Sequence, residues 1–61
     1  MTIKVLATGY YDTPTYRVEL IRKNTILNVR RTKILFKHTY YVCENGNCGT
    51  VLIDDTNAQK V

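Results

Sequence analysis

The 61-residue chain contains no tryptophan and no serine, and it has one histidine, one proline and two cysteines. Without serine, with His38 as its only histidine and with no glycine-rich phosphate loop, it offers no pairing of a nucleophile with a general base. Asp54 and Asp55 are neighbours, so in a strand they point to opposite faces and do not form a carboxylate pair. We therefore expect a protein that is not an enzyme.

Long apolar runs are also missing. Lys4 interrupts the apolar stretch near the N-terminus, and no segment approaches the roughly 7–15 apolar residues of a signal peptide or the ~20 of a membrane span. Two cysteines are too few for the disulfide framework of a small secreted domain. These absences predict a cytoplasmic protein with no membrane partner.

The length predicts one complete domain, residues 1–61, because a second core would need roughly 100 more residues. A composition of 44% hydrophobic and 23% charged residues is typical of a folded globular chain rather than a disordered one. The core of so short a chain is marginal, so a disulfide, a metal or a partner subunit would add needed stability. Residues 56–61 are expected to fray or to form at most one helical turn.

The residue pattern predicts an all-β fold of about five short antiparallel strands in a meander. This would close into a small SH3-like or OB-like barrel or remain an open sheet. Segment 2–8 is short and rich in β-branched residues, and segment 15–22 alternates apolar and charged side chains as a half-buried strand does. A helix through 16–35 is the alternative, but it would place Asn24 and Asn28 near the apolar stripe.

Two hairpins are expected. A two-residue loop at Lys23-Asn24 would place Leu20 opposite Leu27 and Val18 opposite Val29, with the aliphatic residues on one side.

Asn45-Gly46 is the stronger turn signal, because both residues tolerate the positive φ that a type I′ turn requires. A turn centred there would pair Cys43 with Cys48 and Tyr41 with Thr50.

Cys43 and Cys48 have three open interpretations. In the predicted register their Cα atoms would lie ~4.5 Å apart, which allows a cross-strand disulfide. A reducing cytosol would instead keep both as free thiols. A structural zinc site needs four ligands, and His38 falls on the opposite face, so zinc would require two chains that each supply both cysteines. We therefore predict no metal site within one chain and no cofactor.

Residues 15–61 contain TYRVEL, a basic strand, YYVCENGNCG and VLIDDTNAQKV. This pattern resembles the second half of the zinc-binding N-terminal domain of MqsA-type antitoxins, where a Cys-x2-Cys-Gly knuckle precedes a similar strand and acidic segment. Here two extra residues separate the cysteines, and residues 1–13 contain no cysteine for the first knuckle. The resemblance implies a regulatory protein that docks on another protein.

Charge is segregated along the chain. Between Leu20 and Cys43 there are six basic residues and no acidic residue, in a chain of net charge +4. This distribution predicts a phosphate-binding surface. The alternative is a solvated strand face whose lysines protect a sheet edge from aggregation. The candidate nucleic-acid-binding cations are Arg22, Lys23, Arg30, Arg31, Lys33 and Lys37.

Aromatic residues are the second candidate component of such a surface, because unpaired bases stack on them. Three are expected in the core and three outside it: Tyr16, Phe36 and Tyr40 inside, Tyr10, Tyr11 and Tyr41 outside. Tyr40 and Tyr41 are adjacent and must point to opposite faces of a strand, so one of them is exposed. Tyr41 is the predicted contact residue.

The sequence therefore predicts a small non-catalytic binding module, associated with nucleic acid through a basic β-hairpin surface. The alternative is a regulatory protein-binding module, either antitoxin-like or a virus-encoded inhibitor of a host protein. In either case the chain would be a viral or mobile-element protein. The basis of this alternative is the antitoxin resemblance and the apolar Ile21, Ile26 and Leu35 on the second face of the sheet. That face would also provide a homodimer surface.

Overall fold

The computed structural model of the protein describes residues 1–46 and 49–61. Within these residues the chain forms seven β-strands, a short 3-10 helix (Asp55–Asn57) and no α-helix. The strands are β1 (Thr2–Val5), β2 (Gly9–Asp12), β3 (Val18–Ile21), β4 (Ile26–Leu35), β5 (His38–Glu44), β6 (Thr50–Asp54) and β7 (Ala58–Lys60). The all-β prediction is confirmed, and the preference for strands over a helix through 16–35 was right.

The strands form two antiparallel sheets. Five of them pair in the order β6-β5-β4-β1-β7, and β2 and β3 form a separate two-stranded sheet. Over the described residues the larger sheet is open, with β6 and β7 as its edges, so of the two predicted architectures the open sheet is correct and the barrel is wrong. No helix in the described part of the chain is long and apolar enough to cross a membrane.

The core lies between the two sheets. Alternating residues of β1, β5 and β6 face inward, and five are essentially inaccessible to solvent: Ile3, Val5, Cys43, Val51 and Ile53. The two-stranded sheet covers them with Tyr11 and Ile21, which are also buried. Two layers that each bury one face explain how a chain this short forms a core.

The turn predicted at Lys23-Asn24 is present, but the strands on either side do not pair. The Thr25 amide donates to the Arg22 carbonyl at 3.2 Å, and Asn24 has a φ of 73°. However, β3 pairs with β2 and β4 pairs with β1. The predicted pairs Leu20–Leu27 and Val18–Val29 were therefore wrong, because this turn carries the chain from one sheet to the other.

The β5–β6 hairpin has a different register from the predicted one. Cys43 lies opposite Val51 and Tyr41 opposite Ile53, so the predicted pairs Cys43–Cys48 and Tyr41–Thr50 were wrong. The register differs by three residues, an odd number, and this places Val51 and Ile53 on the core face with Cys43. Burying three apolar residues on one face outweighs the preference for a two-residue Asn-Gly turn.

The loop of this hairpin is consequently longer than predicted. The Asn45 amide donates to the Gly49 carbonyl at 2.8 Å. Gly46 and Gly49 both have positive φ, 47° and 91°, a conformation that glycine adopts without steric cost. Asn47 and Cys48 lie outside the described residues.

The two-residue turn occurs instead between β4 and β5. Leu35 pairs with His38, and the two connecting residues, Phe36 and Lys37, have φ values of 50° and 69°. Positive φ at both positions is the type I′ arrangement, which usually selects Asn-Gly. A residue other than glycine held in this region costs about 1–3 kcal/mol, so the turn is strained.

Residues 56–61 were expected to fray or to form at most one helical turn; a 3-10 turn does cover Asp55–Asn57, but the residues after it form a strand. Ala58–Lys60 pairs with β1, and Ala58 packs against the core. The Val61 amide donates to the Thr2 carbonyl at 3.1 Å, and the Thr2 hydroxyl donates to the Val61 carbonyl at 3.0 Å. Edge pairing with β1 therefore holds this end of the chain.

Candidate nucleic-acid interface

The exposed part of the large sheet is the hairpin formed by the second half of β4 and the first half of β5. We call residues 30–41 the basic ribbon. Strand β1 pairs only with residues 26–28 of β4. Farther along β4, the five residues 30–34 are all solvent-exposed. Because successive side chains alternate between faces, exposure of five in a row means that both faces of the ribbon are open at this point.

A β-bulge at the base of the ribbon places two arginines next to each other. Val29 pairs with Cys43 and Arg31 with Val42, so Arg30 is an extra residue in β4. Bulges bend a strand and redirect its side chains.

The bulge directs both arginines to one shallow depression. This open cavity, of about 180 Å³, is lined by Pro14, Arg30, Arg31, Val42 and Thr50. The lining thus combines the apolar Val42, the hydroxyl-bearing Thr50 and two arginines. Guanidinium groups and hydroxyls are the donors that bind phosphate oxygens in protein–nucleic acid contacts.

Little of the positive charge on the ribbon is neutralised. Arg30 Nε lies 3.8 Å from Glu44 Oε1, the one ion pair among residues 1–46 and 49–61. Both side chains are more than half exposed, and an exposed pair of this kind contributes at most ~1 kcal/mol. Within the same residues, Arg31, Lys33 and Lys37 have no acidic side chain within ion-pair distance. The ribbon therefore presents net positive charge.

The six predicted cations divide into two groups. Arg30, Arg31, Lys33 and Lys37 belong to the ribbon. Arg22 and Lys23 lie in the turn before β4, at the other end of that ten-residue strand, where the Lys23 amide donates to the Thr8 hydroxyl at 2.8 Å. The structure thus brings together four of the six cations and separates the other two from them.

The aromatic residues are distributed differently from the prediction. Tyr41 pairs with Ile53 and packs against the core, so it is partly buried and not fully exposed as predicted. Tyr40 instead lies on the face of Arg31 and Lys33, because it pairs directly with Lys33. The odd register difference between β5 and β6 is the reason for this exchange, since it determines which face of β5 is buried.

Three further aromatic residues were assigned to the wrong side. Tyr16 and Phe36, expected inside, are 101% and 94% exposed. Tyr11, expected outside, is buried and donates from its hydroxyl to the Ala7 carbonyl at 2.6 Å. Burial, together with the nearby Asp54 carboxylate, raises the pKa of Tyr11. Tyr11 thus supplies the aromatic part of the core.

Cys43 is a core residue rather than a surface ligand. It carries a free thiol that is 0% exposed, and its Sγ lies 3.6 Å from the Tyr41 carbonyl oxygen. Burial raises its pKa to about 11, so it is a poor nucleophile and metal ligand at neutral pH. His38 lies on the opposite face of β5, five residues away, as predicted, whereas the predictions for Cys48 fall outside the described residues.

Asp54, at the end of β6, places a negative charge on the same face of the sheet as Tyr40. It pairs with Tyr40 across β5–β6 and accepts hydrogen bonds from the Thr56 hydroxyl and from Asn57 Nδ2, the latter at 2.8 Å. Burial alone would raise its pKa, but these hydrogen bonds and the charge of nearby His38 lower it on balance. Asp54 is therefore ionised at neutral pH.

Metal-binding geometry is not found in the described residues, which contain no group of three or more His, Cys, Asp or Glu side chains that could hold an ion. Comparisons with family models, curated protein sequences and solved structures found no match to this chain.

Sequence reasoning missed the exposed turn at Phe36 and Lys37. The sequence gives only a general signal: residues 15–45 form a run of 31 without proline or glycine. Since strands seldom exceed about 10 residues, such a run must contain turns, but the run itself does not give their positions. Arg30 as a bulge residue has no comparable signal in the sequence.

Proposed function

We propose that the protein binds nucleic acid through the basic ribbon, with Arg30, Arg31 and Lys33 as the main phosphate contacts. The observation that supports this most is the bulge in β4, next to which Arg30 and Arg31 line the same open depression together with Thr50. Arginine is suited to this role because its planar guanidinium forms paired hydrogen bonds with phosphate oxygens.

The acidic side chains define a direction for the bound backbone. Glu44 and Asp54 lie towards β6, on the same face as Tyr40 and Val42, whereas the unneutralised cations lie along β4. Because Asp54 is held ionised, a phosphate chain crossing the sheet towards β6 would be repelled. The backbone is therefore expected to run along β4 towards Lys37.

Binding to a labelled random oligonucleotide, followed by fluorescence anisotropy at about 50 mM salt, tests this function. Arg31→Ala/Lys33→Ala is expected to weaken binding at least about tenfold, since each lost phosphate contact is worth ~1 kcal/mol or more. The matched control, Arg22→Ala/Lys23→Ala, removes the same charge at the other end of β4 and should bind nearly as the wild type does. If the wild type shows no binding at this salt concentration, the proposed function is wrong.

A regulatory protein-binding role is the second candidate, and a different surface supports it. On the outer face of the two-stranded sheet, Tyr10, Val18 and Leu20 are 73%, 58% and 47% exposed. They share one face, since Tyr10 pairs with Leu20 and the next outward pair includes Val18. Exposed apolar groups of this kind are typical of protein contacts. Of the residues first expected to form such a surface, Ile21 is buried and Leu35 is partly buried.

A pull-down from cell extract with and without nuclease separates the two roles. Partners retained after nuclease treatment, and lost with Leu20→Lys, would support the protein-binding role. Self-association through this face is measured by sedimentation, and a concentration-independent monomer would exclude a homodimer.

A further inference from the structure

Phe36, at the tip of the basic ribbon, is the least protected large apolar residue on that ribbon. Its side chain is 94% exposed, and its backbone is held at a φ of 50°. It is not part of the core cluster, so burial in this fold does not account for it. Asparagine or glycine would fit the backbone better, and a strained conformation kept at an exposed aromatic residue suggests that the ring is used in binding.

The tip combines this ring with positive charge and a fixed geometry. Lys37 follows it directly, and Lys33 lies three residues before it on the exposed part of β4. Ile34, 73% exposed, provides a second apolar group near the tip. Because Leu35 and His38 are paired on either side of a two-residue turn, the ring is displayed on a short closed hairpin that has little freedom to lose on binding.

We propose that Phe36 stacks on an unpaired base while Arg30, Arg31, Lys33 and Lys37 contact the adjacent phosphates, so that the ligand is single-stranded nucleic acid. This inference rests on the proposed function and adds to it the class of nucleic acid and the stacking residue. An aromatic ring beside a basic track is the arrangement by which proteins hold single strands without reading their sequence. The stacking residue is thus Phe36 and not Tyr41, which packs against the core.

A single strand is favoured over a duplex and over an anionic membrane. Insertion into a duplex requires base steps to be unstacked, and one exposed ring on a short hairpin offers little surface to compensate for that cost. For a membrane, even a single myristoyl chain gives only marginal binding. The apolar side chains at the tip, Phe36 and Ile34, are smaller than a myristoyl chain, and the polar Thr32 and Thr39 flank them in the sequence.

Phe36→Trp tests the stacking directly, because the chain contains no other tryptophan. Titration with oligo-dT at about 50 mM salt should quench its fluorescence, with the same Kd as an anisotropy titration. Ile26→Trp is the matched control, since Ile26 is an exposed apolar residue at the other end of the same strand. Its fluorescence should be unchanged at saturating oligo-dT.

Affinity provides the second measurement. Phe36→Leu keeps an apolar side chain without a ring, and Phe36→Asn suits the turn, so both should remain folded. Both should bind oligo-dT at least about fivefold more weakly, since one stacked base is worth ~1–3 kcal/mol and 1.4 kcal/mol corresponds to tenfold in Kd. The salt dependence of binding should be unchanged, because no phosphate contact is lost.

The outcomes distinguish this inference from the function on which it rests. If oligo-dT binds in a manner sensitive to Arg31→Ala/Lys33→Ala, but neither quenching nor weakening is seen at Phe36, the stacking role is wrong and the proposed function stands. If oligo-dT does not bind but a duplex does, only the single-strand inference is wrong, and if neither binds, both are wrong. If vesicles of phosphatidylserine and phosphatidylcholine quench Phe36→Trp and oligo-dT does not, the tip contacts membranes instead. Tighter binding to a duplex of equal length would overturn the single-strand assignment.

Discussion

Leu35 and His38 lie directly opposite each other in the β4–β5 hairpin, and only Phe36 and Lys37 connect them. Both connecting residues have positive φ, at 50° and 69°, in a turn type that is usually formed by Asn-Gly. The chain does contain an Asn-Gly pair, at 45–46, but it belongs to a longer loop. The two-residue turn between β4 and β5 therefore lacks the Asn-Gly pair that would fit its positive φ angles.

Replacing the strained turn should stabilise the protein. Phe36→Asn/Lys37→Gly is expected to raise the free energy of unfolding by about 1–2 kcal/mol, because both new residues tolerate positive φ. For a domain of this size this corresponds to an increase in Tm of about 4–8 °C per kcal/mol. Thermal unfolding followed by circular dichroism measures it. A lower Tm would show that the turn does not have the conformation described.

The decrease in the free energy of unfolding at alkaline pH should depend on Cys43. Its folded pKa, about 11, lies above the ordinary value of 9.0. The stabilisation that comes from burying the neutral thiol is therefore complete below pH 9 and is lost as the pH rises through 11. This loss lowers the free energy of unfolding by up to about 2–3 kcal/mol.

Cys43→Ala is expected to reduce this alkaline loss. At pH 7 the variant should be about 1–2 kcal/mol less stable than the wild type because of the cavity it leaves. Urea unfolding between pH 7 and 11 follows both effects. The alkaline loss that remains in the variant is assigned to Tyr11, whose pKa is also raised. An unchanged alkaline limb in Cys43→Ala would contradict the burial of the thiol.

The decrease in the free energy of unfolding at acid pH should depend on Asp54. Its folded pKa is lowered by hydrogen bonds from Thr56 and Asn57 and by the charge of His38, which outweigh its burial. Its contribution is therefore present above the ordinary pKa of 3.8 and is lost as the pH falls through the lower folded value. Asp54→Asn should lower the free energy of unfolding at pH 7 by about 1 kcal/mol and flatten the dependence below pH 4. Unfolding by urea at pH 2–7 checks this, and a variant as stable as the wild type would refute it.

Glu44 should affect binding more than stability. Its ion pair with Arg30 is long and exposed, so Glu44→Gln should change the free energy of unfolding by no more than about 0.5 kcal/mol. The same change removes a negative charge beside the proposed phosphate contacts and should tighten oligonucleotide binding by about two- to fivefold at low salt. Anisotropy titrations measure this effect. Weaker binding by Glu44→Gln would place the ligand elsewhere.

The all-β class and the positions of several strands were predictable because they depend on local patterns. β-Branched residues near the N-terminus form β1, and Ile3 and Val5 alternate inward. The exposure of the basic ribbon was also predictable, since cations such as Arg31 and Lys33 are rarely buried. These features need no knowledge of which strands pair.

Strand register was not predictable because it depends on distant partners. The preference of Asn45-Gly46 for a tight turn is local, whereas the burial of Val51 and Ile53 beside Cys43 is not. Likewise, the turn at 22–25 gives no indication that β3 and β4 belong to different sheets.

The structural environments of Tyr41 and Phe36 differ from the expected ones for a related reason. The face on which Tyr41 lies depends on the register of β5. Phe36 was expected in the core, but the aromatic residue of the buried core cluster is Tyr11. The clustering of the cations between residues 22 and 37 is visible in the sequence, but their division between the ribbon and the turn at 22–23 is not, because it depends on the direction of β4.

The most direct test of the account is the salt dependence of single-strand binding. For oligo-dT, the slope of log K against log salt should become shallower by about 1.4 in Arg31→Ala/Lys33→Ala, since each phosphate contact contributes about 0.7. The slope should stay close to that of the wild type in Arg22→Ala/Lys23→Ala, which removes the same charge at the far end of β4. Equal slope changes in the two variants would mean that net charge, and not the ribbon, determines binding, and this would contradict the account.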